Sequence, residues 1–160
     1  MQKIKIVCVG KIKEKFYTMA VDEYVKRLSR YCKLEIVELP DEKTPDNASD
    51  TVNDMIKKTE ADKILKNIKD DAYVITLEIL GKMLDSVEMS KKLDRLAIEG
   101  AGEIIFVIGG SLGLHESVSR RADYNLSFSK MTLPHQLMRV ILLEQIYRAY
   151  RISSNEPYHK

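Results

Sequence analysis

Tryptophan is absent from this 160-residue chain, cysteine occurs only twice and proline four times. Cys8 and Cys32 have neither CxxC spacing nor the density of a disulfide scaffold, and both sit in apolar surroundings, so they read as free structural thiols. No apolar run approaches the roughly 20 residues that cross a bilayer. Met1-Gln2-Lys3-Ile4-Lys5 lacks the apolar stretch and cleavage site of a secretion signal, and the expected location is the cytoplasm. Neither sign of charge dominates: 26 basic and 24 acidic residues leave a formal charge of +2, which excludes neither an RNA nor a small-molecule partner. Glycine is scarce, seven in all, and three of the seven fall within Gly109-Gly110-Ser111-Leu112-Gly113.

What is present describes one ordinary soluble domain over residues 1–160. A chain this long buries roughly 70% of its unfolded surface around a single core. Its 44% hydrophobic and 31% charged residues are normal for that class. No repeat, low-complexity tract or linker divides it.

Apolar runs with β-rich composition alternate with stretches of helical period. Strands are predicted over Ile4 to Val9, Lys33 to Leu39, Ala72 to Leu77, Glu103 to Ile108 and Tyr124 to Ser129. Between them, helices are predicted over Glu14 to Tyr31, from Ser49 or Asp50 to about Lys69, from Ser86 to Ile98, and from His115 to Ala122. A last helix runs from Pro134 to Arg151. Val52, Met55, Ile56, Ile64, Leu65 and Ile68 mark the inner face of the second helix, and Val87, Leu93 and Leu96 that of the third. The segment Pro40 to Ala48 has turn chemistry throughout and reads as an exposed loop. The alternation predicts an α/β fold, a mainly parallel sheet with helices on both faces.

In such a sheet, ligands sit outside the carboxyl ends of the strands. Ile104-Ile105-Phe106-Val107-Ile108 empties into the glycine loop, and Tyr124 to Ser129 empties into Lys130-Met131-Thr132-Leu133-Pro134-His135. Two unusual loops at successive strand ends predict one pocket. The glycine loop is neither G-x-G-x-x-G nor a Walker loop. His115, His135 and His159 are far apart and no metal is expected. A Ser111, His135 and Asp123 triad would lack the G-x-S-x-G elbow. The wide apolar stripe of the last helix, Leu137 to Tyr150, reads as sheet cover or as a self-association surface.

Charge is unevenly spread. Residues 130–160 carry +3 and the rest −1, while Lys3, Lys5, Lys11, Lys13 and Lys15 face only Glu14 in the first seventeen residues. These segments read as solvated lysines or, if the fold joins them, as one phosphate-facing surface. Arg139, Arg148 and Arg151 likewise read as solvated or ion-paired groups, or as phosphate contacts. The tail Asn155-Glu156-Pro157-Tyr158-His159-Lys160 ends on an aromatic ring that can stack on a base and an imidazole suited to proton movement.

Phe106-Val107-Ile108-Gly109-Gly110-Ser111-x-Gly113-Leu114, the run Leu126 to Val140, Glu144-Gln145-x-Tyr147-Arg148-Ala149 and the final Pro157-Tyr158-His159 together resemble the RlmH family. Val9-Gly10-Lys11-x-Lys13-Glu14, Ile75-Thr76-Leu77-Glu78 and Gly81-Lys82 fit it too, so the resemblance spans nearly the whole chain. It implies a SPOUT-class methyltransferase that uses S-adenosyl-L-methionine to methylate N3 of a pseudouridine in large-subunit ribosomal RNA. It also implies a C-terminal deep trefoil knot, against the general rarity of threaded chains, and a homodimer. Carried over by position, Leu77, Gly109, Phe128, Ser129, Lys130, Met131, Thr132 and Leu133 would bind the cofactor. Tyr158 and His159 would reach the partner's pocket, with His159 as general base or its orienter. Arg139 and Arg148 would contact RNA phosphate or hold the tail. So short a chain has little room for a separate RNA-binding domain, which points to the assembled ribosome as substrate. Two alternatives remain at this point: a non-catalytic RNA-binding protein that keeps the fold, and a nucleotide oxidoreductase, which lacks its fingerprint.

Overall fold

The computed structural model describes residues 1–160. Its elements follow the predicted alternation: β1 (Gln2–Val9), α1 (Lys15–Leu28), β2 (Cys32–Leu39), α2 (Asp50–Lys66), β3 (Tyr73–Met83), α3 (Ser86–Ile98), β4 (Ile104–Ile108), α4 (Glu116–Arg121), β5 (Tyr124–Ser127) and α5 (His135–Ser153). The strands form one sheet in the order β2-β1-β4-β3-β5, and every pairing is parallel. The sheet is thus wholly, not mainly, parallel, as expected when every connection crosses over through a helix.

The period of two along β1 sorts the core. Ile4, Ile6 and Cys8 face the layer of α1, α3 and α5, where Val21, Leu28, Leu93, Leu142 and Ile146 are buried with them. Val7 and Val9 face α2 and α4 through Ala61, Ile64 and Val118. Both cysteines are free and buried, and burial pushes each thiol up to about 11. Ser49 caps α2 by accepting from Val52 N at 3.2 Å, and Asp85 and Glu88 form a capping box on α3. No helix is long and apolar enough to cross a membrane.

Four local expectations are corrected. β3 does not stop at Leu77 but runs to Met83: Leu77 and Lys82 both pair with Leu126, so Glu78 to Gly81 loop out between them. A Cβ on Gly81 would lie 2.6 Å from the Asn125 carbonyl oxygen, and only glycine lets these backbones approach so closely. On α2, Val52 and Met55 are exposed while Glu60, Ala61 and Ile64 are buried, because the helix covers the sheet only along its second half. On α3, Val87 is exposed and Met89 and Ser90 are inward, since Ser90 Oγ donates to the Ala149 carbonyl of α5 at 2.8 Å and sets the helix phase. Pro134 is the N-cap of α5 and not its first helical residue.

Candidate functional site

A cavity of about 760 Å³ opens at the carboxyl ends of β3, β4 and β5, within the range of small-molecule sites. Its wall joins the β3 bulge, the glycine loop, the segment from Phe128 to Leu133 and the start of α5. The glycine loop folds back on itself: Gly113 N donates to the Gly110 carbonyl at 3.1 Å, with Gly113 at φ +82°. A Cβ on Gly109 would lie 3.0 Å from both Gly113 C and Leu114 Cδ2, so a side chain there would press on the turn. The second loop is braced by Ser127 Oγ donating to the Ser129 carbonyl and by Met131 N donating to Ser129 Oγ, at 3.1 and 3.0 Å.

Of the eight residues that the resemblance assigns to the cofactor, seven line this cavity: Leu77, Gly109, Phe128, Ser129, Met131, Thr132 and Leu133. Lys130 does not; its side chain is exposed. His135 and Ser111 also line the cavity, but Asp123 accepts from Val74 N at 2.8 Å at the other end of β5. The hydrolytic triad is therefore not assembled.

Two carboxylates flank the site, and sequence reasoning gave neither a role. Glu78 lines the cavity and both its oxygens are taken: Ser119 Oγ donates to one at 2.6 Å, while Thr76 Oγ1 and Asn125 Nδ2 donate to the other. Every one of these donors is neutral, so the network holds the carboxylate without cancelling its charge. Glu60, only 6% exposed, accepts from Glu42 N at 3.1 Å. A Cβ on Gly110 would lie 3.4 Å from its nearer oxygen, so Glu60 packs against the glycine loop. Burial is the main cause that raises its pKa above the usual carboxylate range, with Asp41 and Glu42 adding to it. A signal existed for Glu78, which directly follows Leu77; for Glu60 there was none.

Arg139, read from sequence as a solvated group or a phosphate contact, is 1% exposed. Its guanidinium pairs with Glu38 and donates to the Gly10 carbonyl at 3.1 Å, joining the ends of β1 and β2 to α5. It has no surface to offer an RNA phosphate. Arg148 instead holds the tail. It pairs with Glu144, lies 4.6 Å from the Tyr158 ring centre and reaches Nδ1 of His159 at 3.2 Å. Tyr158 OH donates to Glu144 at 3.0 Å, and its ring meets Tyr147 edge-on at 4.9 Å. Arg151 fixes the approach by donating to the Pro157 carbonyl at 2.8 Å. Along α5, Met138 still lines the cavity, whereas Glu144 and Arg148, which hold the tail, lie about 9 and 15 Å further at 1.5 Å per residue. Tyr158 and His159 are therefore gathered with Arg148 on the C-terminal half of α5, and neither lines its own chain's cavity.

The family model described as "Predicted SPOUT methyltransferase" matches residues 2–159. The chain is 61% identical over 157 residues to "Ribosomal RNA large subunit methyltransferase H" of Clostridium botulinum (strain Alaska E43 / Type E3), covering 98% of this chain and 99% of that protein. It is 62% identical, with the same coverage, to "Putative ribosomal RNA large subunit methyltransferase H" of Methanococcus vannielii. Among solved structures, a "probable methylase family protein" from Haemophilus influenzae Rd KW20 superposes with TM-score 0.55 at 16% identity, over 99% of this chain and 71% of that one. A "Probable Methyltransferase" from Bordetella pertussis Tohama I gives 0.59 at 13% identity, over 92% and 96%. These two likenesses establish the fold, and the full-length matches establish more: this chain belongs to the SPOUT methyltransferase family and, within it, to the large subunit methyltransferase H (RlmH) group.

Proposed function

We propose that residues 1–160 form one cytoplasmic catalytic domain, an S-adenosyl-L-methionine-dependent methyltransferase that methylates N3 of a pseudouridine in large-subunit ribosomal RNA. The observation that carries this reading is the cavity itself, which gathers seven of the eight residues assigned to the cofactor at three neighbouring strand ends. The relatives' names, which specify ribosomal RNA of the large subunit, support the substrate class.

The residues present fit that methyl donor. The volume suits a molecule of its size, Leu77, Phe128 and Leu133 offer apolar walls for an adenine, and the strand-end loops offer backbone polar groups to its edge. Glu78 on the wall matches a cationic ligand. When bound, the sulfonium supplies an activated methyl group without further activation by a metal. The chain must then hold the target base in line and exclude water.

Completion of the site by a second copy is part of the reading. Tyr158 and His159 do not line their own cavity; Glu144 and Arg148, which hold them, lie about 9 and 15 Å along α5 beyond Met138 on its wall. At the cavity lip, Leu80 is 98% and Met131 76% exposed, an apolar rim that a partner would cover. A homodimer that sets one tail over the other's cavity accounts for both. Arg148 can only donate, so the Nδ1 of His159 accepts from it and the ring carries its proton on Nε2. With Nδ1 so engaged, His159 would serve through its Nε2–H as the orienter of the general base rather than as the base itself. The family resemblance extends the reading to a deep trefoil knot in the C-terminal half.

Calorimetric titration with S-adenosyl-L-methionine tests the cofactor reading, with NAD and ATP as controls and Gly109→Arg as the blocked site. Saturable binding of the methyl donor alone, lost in the variant, is expected. Absence of binding both to the free protein and to its complex with ribosomes would overturn it in favour of a non-catalytic RNA-binding protein.

A further inference from the structure

Seven of the eight arginines in this chain are engaged in ion pairs. Lys11, Lys13 and Lys15 are exposed, and none of them has a carboxylate partner. A solvated lysine is unremarkable by itself; the backbone beneath Lys11 and Lys13 is not. Gly10 N donates to the Leu39 carbonyl at 2.7 Å, the Gly10 carbonyl accepts from buried Arg139, Ile12 N donates to Glu38 at 3.2 Å and Lys13 N donates to Gln136 at 3.1 Å. Four bonds in four residues tie this connection to β2 and to the first turn of α5.

Those anchors also place it at the cavity. Gly10, at φ +94°, packs so closely on His135 that a Cβ would lie 3.2 Å from its Cε1, and His135 lines the cavity wall. Burial, then Arg139, and lastly Lys13 lower the pKa of His135, while Asp41 opposes them, so the charge of Lys13 is felt at the cavity wall. Of the nearby carboxylates, Glu38 is committed to Arg139 and Ile12 N, which leaves Glu14 and Asp41 against the lysines.

We propose that the β1–α1 connection is a rigid phosphate-docking rim, with Lys11 and Lys13 gripping the RNA backbone beside the nucleotide whose base enters the cavity. The proposal rests on the methyltransferase reading for the identity of the RNA, and on the geometry alone for the rim. Its physical logic is that phosphate contacts fix register without reading sequence. A cation held on an anchored loop positions the backbone, whereas one on a free loop only attracts it. The rim would thus supply the positioning that this chain has no separate domain to provide.

The test compares Lys11→Gln/Lys13→Gln with Lys3→Gln/Lys33→Gln. Lys3 and Lys33 are exposed, stand opposite each other in the β1–β2 register, and lie at the other end of the sheet, so they match the charge removed. Two readouts are needed: equilibrium binding to protein-free large-subunit RNA across a potassium chloride series, and KM and kcat with ribosomes at saturating S-adenosyl-L-methionine. The rim variant is expected to reduce the slope of log affinity against log salt by about 1 for each lysine. It should raise KM several-fold, with kcat and methyl-donor affinity unchanged, and the matched variant should behave as the wild type. Equal slopes for the wild type and the rim variant, or equal losses in both double variants, would overturn the rim. A wild type that transfers no methyl group to ribosomes would overturn the methyltransferase reading instead, while a slope lost only in the rim variant would still support the rim.

Discussion

Arg148 donates to Nδ1 of His159 at 3.2 Å while its guanidinium lies over the ring of Tyr158, so one side chain fixes both residues of the tail. The Glu144 carboxylate, shared by Arg148 and Tyr158 OH, closes the cluster from the helix side. A chain end is ordinarily frayed; here an arginine, a carboxylate and a ring of tyrosines hold it against α5.

Removing that clamp should uncouple catalysis from cofactor binding. Arg148→Ala is predicted to lower kcat by about 100-fold, the scale of a misplacement of about 1 Å at a reacting centre. Affinity for S-adenosyl-L-methionine should be unchanged, because Arg148 contacts Glu144 and the tail and none of the residues assigned to the cofactor. Arg148→Lys should not rescue turnover, since an ammonium cannot reach Glu144 and His159 as a planar fork does. Steady-state kinetics beside calorimetry check both.

Arg139 belongs to stability. Arg139→Ala removes a buried partner from Glu38 and leaves the Gly10 carbonyl without its donor. The predicted cost is about 3 kcal/mol, the lower end for a broken buried pair because Glu38 is partly exposed. Urea denaturation should show the midpoint falling at constant slope.

Glu78 is predicted to support the cavity wall. In Glu78→Ala, Ser119 Oγ, Thr76 Oγ1 and Asn125 Nδ2 all lose their shared acceptor, whereas Gln could keep the three contacts because the Ser119 hydroxyl can turn to accept. The expected result is roughly a tenfold loss of methyl-donor affinity, the worth of one net hydrogen bond. Ser119→Ala should act in the same direction, and the double variant should lose less than the sum. Calorimetry on the four proteins gives the coupling.

Glu60 should make folding stability depend on pH with a defined sign. Its folded pKa is raised above its unfolded value, so the ionised form is disfavoured in the native state. Stability is therefore greatest below the usual carboxylate pKa and declines as pH rises through the raised value. Glu60→Gln, which can still accept from Glu42 N, should remove that decline. The difference in stability between variant and wild type should grow in the variant's favour from pH 4 to neutral. Denaturant titrations across this range check it.

Much of this was legible because buried parallel strands are nearly continuous apolar runs, as Ile104 to Ile108 shows. The strand-end loops announced themselves by clustered glycines and by the motif-rich run into α5. What escaped were features that only tertiary packing creates. The predicted strand stops at Leu77, yet β3 resumes beyond Gly81 because Lys82 regains the partner that Leu77 already had. Arg139 reads as surface until Glu38 and the Gly10 carbonyl, more than a hundred residues away in sequence, satisfy it inside. The phase of α3 depends on one Ser90 bond to α5. The tail's motif was visible, but the contacts with Glu144 and Arg148 that hold it along α5 were not.

The most direct test is to incubate the protein with S-adenosyl-L-methionine and ribosomes, then locate any new methyl group in the large-subunit RNA by mass spectrometry. One methyl at N3 of a single pseudouridine, absent with Gly109→Arg, is the predicted result. A methyl group on another atom or another RNA, or none at all although the methyl donor binds, would contradict the account.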